Sequence, residues 1–182
     1  MPGHITPLDR WEQRLNRRLQ LLRGQVVRWR GARVGVRFGL GRGVRLVYPA
    51  CFEAGDDVTI EDFGFLHCLS ERGVRIGSHT SIDRHLWLHC GGSPEDHAHG
   101  YFQIGEYCYI GPNAVMGAGG GIIIGNHVQM GPTVGIHAEN HRFEDGDRRI
   151  DEQGVWHQGI RIEDDCWIGA KVVILDGVTI GR

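Results

Sequence analysis

The sequence predicts an all-β chain, a triangular solenoid of stacked parallel strands, preceded by a short N-terminal α-helix. Three observations predict it. Aliphatic residues recur six apart, in runs of three. Each long break in that beat falls after the third member of a run. Glycine supplies 29 of 182 residues, roughly double its usual share, with no Gly-X-Y period that would indicate collagen.

The elements follow in chain order. Thr6-Pro7-Leu8-Asp9 reads as a helix start, with Thr at the N-cap, Pro at the first position and Asp at the third. Leu15, Leu19, Leu22, Val26 and Trp29 then recur at helical spacing, with arginines on the other faces. We assign residues 1–33 to this amphipathic segment. The helix is expected to cap the first coil or to pack in an oligomer. The competing expectation is contact with an anionic membrane surface.

The repeat occupies residues 34–182. Its runs are Val34/Leu40/Leu46, Ala54/Ile60/Leu66, Ile76/Ile82/Leu88, Ile104/Ile110/Met116, Ile124/Met130/Ile136 and Ile162/Ile168/Ile174/Ile180. Four residues after most marks comes a second small or aliphatic residue, such as Cys108, Ala114, Val128, Val134, Cys166, Val172 or Val178. Turn formers lie between them: Pro112-Asn113, Asn126-His127, Asp164-Asp165 and Asp176-Gly177. Asn, Asp and Gly tolerate the left-handed conformation that a tight corner needs. A helix cannot keep a strict period of six, whereas strand alternation with a regular corner can. Three hexads per coil make a triangular prism. No coil buries its inner face alone, so stability comes from stacking.

Between runs the chain inserts 2, 4, 10, 2 and 20 residues, each time after the third hexad. All insertions therefore leave from one corner. The longest holds "GIHAENHRFEDGDRR", with His137 and His141 four apart. Loops on rigid scaffolds carry function, and an imidazole with a pKa near ~6.5 suits a general base at neutral pH.

Composition narrows the alternatives. Residues 1–50 hold eleven arginines against Asp9 and Glu12, a net of +9, while the remainder carries nine basic and twenty acidic residues, a net of −11. No apolar run approaches the ~20 residues of a membrane span, and no signal-peptide core is visible. Five cysteines without paired spacing fit reduced thiols in the cytoplasm. Cys108 and Cys166 fall at inward positions, which argues against a thiol nucleophile. "GAGGG" at 117–121 lacks the Gly-Lys-Ser/Thr of a phosphate loop and reads as a tight corner. Basic and aromatic residues do not interleave as in nucleic-acid binders. His85, His89, Cys90, His97 and His99 form a metal-like inventory on and beside the second-longest insertion. We expect that loop to wall an acceptor site, with no metal.

"IGEYCYIGPNAVM", "IGNHVQMGPTVGI" and "IEDDCWIGAKVVILDGVTIG" resemble the hexapeptide-repeat acyltransferases. "AENHRF", "EQG" and "GIRIEDDCWIGA" narrow the resemblance to the maltose/galactoside O-acetyltransferase-like group. That resemblance implies a left-handed parallel β-helix, a homotrimer, and acetyl-CoA as co-substrate lying between neighbouring prisms, with no bound cofactor. It implies direct acetyl transfer to a hydroxyl of a sugar or polysaccharide precursor. The unpaired cysteines and the basic helix lead us to expect the cytoplasm, or the inner face of the membrane, as its location. His141 matches the group's catalytic histidine, and Glu152 stands about where some relatives carry a carboxylate beside it. Glu139 and Glu144 compete for that role. Trp167, Ala170 and Lys171 match the stretch flanking the pantetheine arm, with the Ala170 backbone as a hydrogen-bonding position. His137 is expected to hydrogen-bond the corner. Relatives usually continue past "GVTIG" with another coil, so either a shortened chain or an incomplete CoA site is expected here. The rival readings are a metal-dependent hydratase of the γ-carbonic-anhydrase kind, and a β-helix scaffold without activity.

Overall fold

The computed structural model describes residues 5–91 and 99–182. Its helix, α1 (Pro7–Trp29), starts where the sequence places it. Thr6 Oγ1 accepts from the Asp9 N–H at 3.2 Å, and Asp9 accepts from the Thr6 N–H at 2.7 Å, a reciprocal cap.

After α1 the chain winds as a left-handed parallel β-helix. Three parallel sheets form the faces of the prism. The first face runs from Arg33–Val34 through Phe52–Ala54, Val74–Ile76, Phe102–Ile104, Ile122–Ile124 and Ile160–Ile162 to Thr179–Ile180. The second runs from Gly39–Leu40 through Thr59–Ile60, Ser81–Ile82, Tyr109–Ile110 and Gln129–Met130 to Trp167–Ile168. The third runs from Arg45–Val47 through Phe65–His67, Trp87–His89, Val115–Gly117 and Gly135–His137 to Val173–Leu175.

The register aligns the marks of the sequence with one another. Ile76 pairs with Ile104 and Ile104 with Ile124; Ile110 pairs with Met130; Met116 pairs with Ile136 and Ile136 with Ile174. These side chains form one continuous core along the prism. Stacking apolar residues at a fixed register gives each coil the same seat on its neighbour. The second inward position is buried at Cys108, Ala114, Val128, Val134 and Cys166, but Val178 is exposed. No strand of the second or third face stacks beyond it among the described residues.

Every insertion runs from a third-face strand to a first-face strand, so all five leave from one corner, as the spacing requires. The other two corners are closed by a residue in the left-handed region. These include Asp57, Tyr107, His127 and Asp165 at one corner, and Phe63, Asn113, Thr133 and Lys171 at the other.

α1 packs on the first coil, as one of the two expectations had it, but not through its apolar stripe. The expected apolar stripe does not face the prism: Leu22, Val26 and Trp29 are exposed, Trp29 at 83%. The helix lies on the coil by its opposite side, through Gly24, Val27, Arg17, Gln20 and Arg28. Arg17 donates to Thr59 Oγ1 and to the Arg37 carbonyl, both at 2.9 Å, and Arg28 donates to the Val34 carbonyl. Gly24 sits against the Phe38 carbonyl, so close that no side chain fits there.

Candidate functional site

The longest insertion is an ordered hairpin rather than an open loop. Asn140–His141 pairs antiparallel with Val155–Trp156, placing His141 opposite Val155. Arg142 N–H continues the ladder to the Gly154 carbonyl at 3.0 Å. Gln153 closes the tip, donating to the carbonyls of Asp145 and Arg148 at 2.9 and 3.0 Å and accepting from the Asp145 N–H at 3.1 Å. The His141 ring stands exposed on this hairpin.

The neck of the hairpin is held by a residue that the sequence offered only as a turn former. Asp176 accepts from the N–H groups of Gln158 and Gly159, both at 2.8 Å, and from the Asn140 side-chain amide at 3.5 Å. One carboxylate in the next coil thus ties both ends of the insertion. The "GAGGG" corner is the seat beneath it: Gly119 lies under the Glu139 side chain, and a Cβ on Gly120 would sit 2.6 Å from the Cβ of His157. Tight packing against the hairpin, as well as corner geometry, explains this run of glycines.

Glu152 is exposed in the 3₁₀ turn Ile150–Glu152, with its carboxylate 3.6 Å from the Arg149 guanidinium. Among the described residues no hydrogen bond joins it to His141. Glu144 caps the Phe143 N–H at 3.0 Å. Glu139 lies beside His137 instead. Both line a cavity of about 400 Å³ on the outside of the third face, with Trp87, Val115 and Gly117. Gly117 opens this cavity, because the same outward column carries His89 and His137 in the coils before and after. Trp87 stacks on His89 with ring centroids 5.6 Å apart, and His89 stacks on His67 at 4.3 Å. This aromatic wall was not singled out from sequence, although Phe65 and Trp87, and His67 and His89, recur at coil spacing.

Trp167 projects from the second face and is 71% exposed. Ala170 and Lys171 lie at the corner between the second and third faces, Lys171 with φ +61°. The Lys171 N–H bonds to the Pro132 carbonyl at 3.0 Å. Ala170 is exposed, and among the described residues its N–H meets no acceptor. In the two preceding coils this column holds Pro112 and Pro132, which have no N–H to satisfy.

Among the described residues the histidine inventory of the second-longest insertion does not assemble. His85 is a left-handed corner residue stacked on Phe63 at 5.4 Å, at a different corner from the insertion. His89 points outward from the third face, and its Nδ1 accepts from the Gly91 N–H at 2.9 Å. His99 is exposed, and His97 lies outside the described residues. Among the described residues no three His, Cys, Asp or Glu side chains approach as a metal-holding group. Burial pushes the Cys90 thiol up to about 12 and Cys68 higher still, which leaves both as thiols rather than thiolates.

The chain is 36% identical over 97 residues to a probable acetyltransferase of Mycobacterium tuberculosis, covering 53% of this chain and 32% of that protein. It is 30% identical over 103 residues to the galactoside O-acetyltransferase of Lactococcus lactis, covering 45% of this chain and 49% of that one. The chain resembles the hexapeptide-repeat O-acetyltransferases. It spans about half the length, or less, of these curated relatives. No family model matches the chain, and no solved structure matches it.

Proposed function

We propose that the protein is an acyl-CoA-dependent O-acetyltransferase whose acceptor is a hydroxyl of a sugar or polysaccharide precursor. The observation that carries this reading is the hairpin itself. An otherwise regular prism spends its longest insertion on holding an exposed imidazole, His141, on a paired strand anchored by Asp176. Acyl transfer needs such a fixed base, because proximity and proton removal supply much of the rate.

In this reading His141 takes the proton from the acceptor hydroxyl as its oxygen attacks the thioester carbonyl. The tetrahedral intermediate collapses, the C–S bond breaks, and the imidazolium returns the proton to the departing CoA thiolate. No covalent acyl-enzyme forms. Glu152 would orient the protonated ring only if it turned from Arg149, 3.6 Å away. In this reading Glu139 and His137, which line one cavity with Trp87, would contact the acceptor. An aromatic face beside polar groups suits a sugar, whose ring carries one apolar side and a rim of hydroxyls.

The free N–H of Ala170 is an available donor for an amide of the pantetheine arm, with Trp167 beside it as an apolar wall and Lys171 as a cation for phosphate. Trp167, Val173 and Leu175 expose apolar surface on adjoining faces. A homotrimer would cover that surface and place CoA between two prisms.

The test is an acetyl-CoA transfer assay over a panel of sugars, comparing wild type with His141→Ala and His141→Gln. Both variants should lose on the order of 10²- to 10⁴-fold in turnover while keeping the fold, as expected for removal of a general base. Equal turnover in all three proteins would remove His141 from the mechanism.

A further inference from the structure

We infer that α1 (Pro7–Trp29) is an interfacial docking helix that lays its outward face on an anionic lipid bilayer. The inference goes beyond the acetyl-transfer reading and does not depend on it.

The placement of the helix is the first argument. At 3.6 residues per turn, Leu8, Trp11, Leu15, Leu19, Leu22, Val26 and Trp29 fall within about 80° of arc. All seven are exposed, with Trp11 at 60%, Leu22 at 63% and Trp29 at 83%. The side that touches the prism carries Arg17, Gln20, Gly24, Val27 and Arg28, and it is turned roughly opposite the stripe. Ordinary amphipathic helices bury the apolar stripe in their own core. Here polar side chains and one close glycine contact fix the helix to the coil, and the apolar stripe is left facing away. That arrangement presents the stripe to something outside the chain.

Charge identifies the occupant. Three arginines of the first coil are engaged by the acids of the second, Arg33 with Glu53, Arg37 with Asp57, and Arg42 with Asp62 at 4.0 Å, and Arg45 lies over the Phe65 ring at 5.8 Å. Arg17 and Arg28 are committed to the prism. Arg10, Arg14, Arg18 and Arg23 have no ion pair among the described residues. Arg14 and Arg18 border the stripe on one side and Arg23 on the other, where their heads can reach lipid phosphates while the stems lie along acyl chains. A second protein copy of the same sequence would bring the same arginines together and repel. A bilayer with anionic headgroups neutralises them, and Trp11 and Trp29 suit the headgroup boundary. The acidic remainder of the chain, net −11 beyond residue 50, is repelled by the same surface. It orients the prism away, with its helix end down.

The experiment uses the full chain and vesicle co-sedimentation, with phosphatidylcholine alone and with phosphatidylglycerol added. Wild type should sediment with the phosphatidylglycerol vesicles and at least tenfold less with phosphatidylcholine alone, and added salt should release it. Two variants probe the two components. Trp11→Ser/Leu22→Ser/Trp29→Ser and Arg14→Glu/Arg18→Glu should each cut binding at least tenfold, with unchanged circular dichroism and melting. These positions are all exposed, so the fold does not rest on them. Sedimentation velocity without lipid closes the argument, because the triple Ser variant should keep the wild-type oligomeric state. Failure of wild type to bind phosphatidylglycerol vesicles overturns the inference. A smaller assembly for the triple Ser variant overturns it too, by showing that copies of this chain cover the stripe.

Discussion

Two corners of the prism are closed by a single left-handed residue each turn, while the third releases every insertion, and the contrast shows how this fold separates stability from chemistry. At the plain corners the backbone conformation is imposed by register, so residue identity is relaxed. Tyr107, Phe63 and even the β-branched Thr133 occupy a conformation usually left to Gly or Asn. Their side chains then stack along the edge, His79 on Tyr107 at 4.7 Å and Tyr107 on His127 at 5.3 Å. At the third corner no register is imposed on the inserted residues, and structure there depends on a few specific bonds to Asp176 and Gln153. Breaking one of those bonds should damage turnover more than stability. A change at a plain corner should do the reverse.

The largest effect is expected at Asp176. Asp176→Ala removes the acceptors for Gln158, Gly159 and Asn140 and frees the neck of the hairpin. A misplacement of about 1 Å in a reacting group can cost on the order of 10²-fold. We expect a fall of that order in kcat for acetyl transfer, with a melting temperature only slightly lowered. Turnover at the wild-type level would show that the neck does not position His141.

One substitution made in both kinds of region gives the next largest contrast. A Cβ on Gly111 would sit 2.6 Å from the carbonyl carbon of Gly131, a backbone atom that cannot swing aside. Gly111→Ala should destabilise by about 1–3 kcal/mol, the usual range for overpacking. A Cβ on Gly146, at the hairpin tip, meets nothing within 4 Å, so Gly146→Ala should stay within about 0.5 kcal/mol of wild type. Urea unfolding midpoints of the two variants decide the matter, and equal midpoints would remove the distinction between the regions.

Thr80 sharpens the same point from inside the prism. It is fully buried at a second inward position, where its hydroxyl donates to the Gly105 carbonyl at 2.9 Å and accepts from the Cys108 N–H at 3.1 Å. Thr80→Val keeps the shape and leaves two buried backbone groups unpaired, which should cost about 1–3 kcal/mol. An unchanged unfolding midpoint would mean that water or a shifted backbone replaces both bonds.

The period of six was legible because register repeats it in every coil: a mark such as Ile110 is read once and confirmed at Ile82 and Met130. The single insertion corner was legible for the same reason, since counting residues between marks needs no knowledge of side chains. What failed was orientation without a repeat. The stripe of α1 announces amphipathicity, but nothing local says which side meets the prism; Gly24 and the arginine bonds decide that only once the first coil is folded. His141 and its loop could be picked out as polar residues interrupting an apolar beat. Asp176 could not, because a turn-forming Asp before Gly gives no sign that its carboxylate reaches the previous coil's insertion. His85 was grouped with His89 by chain proximity, yet His85 sits at a plain corner and His89 at the far end of the strand that follows it.

The smallest effect concerns protonation at the third face. His67 stacks on His89 and meets Tyr48 edge-on at 5.2 Å, with its Nδ1 buried and without a partner. Burial, and then the nearby His89, lower its pKa below the ordinary imidazole value of 6.5. The unfolded chain therefore takes up this proton first as pH falls. The neutral ring's contribution is complete above about 6.5 and is lost progressively as pH drops from there through the lower folded-state pKa. His67→Phe keeps an aromatic ring against His89 and removes the titration. Denaturant midpoints measured from pH 7.5 down to 5 should fall more steeply for wild type than for the variant. Parallel curves would show that the His67–His89 stack accommodates the charge.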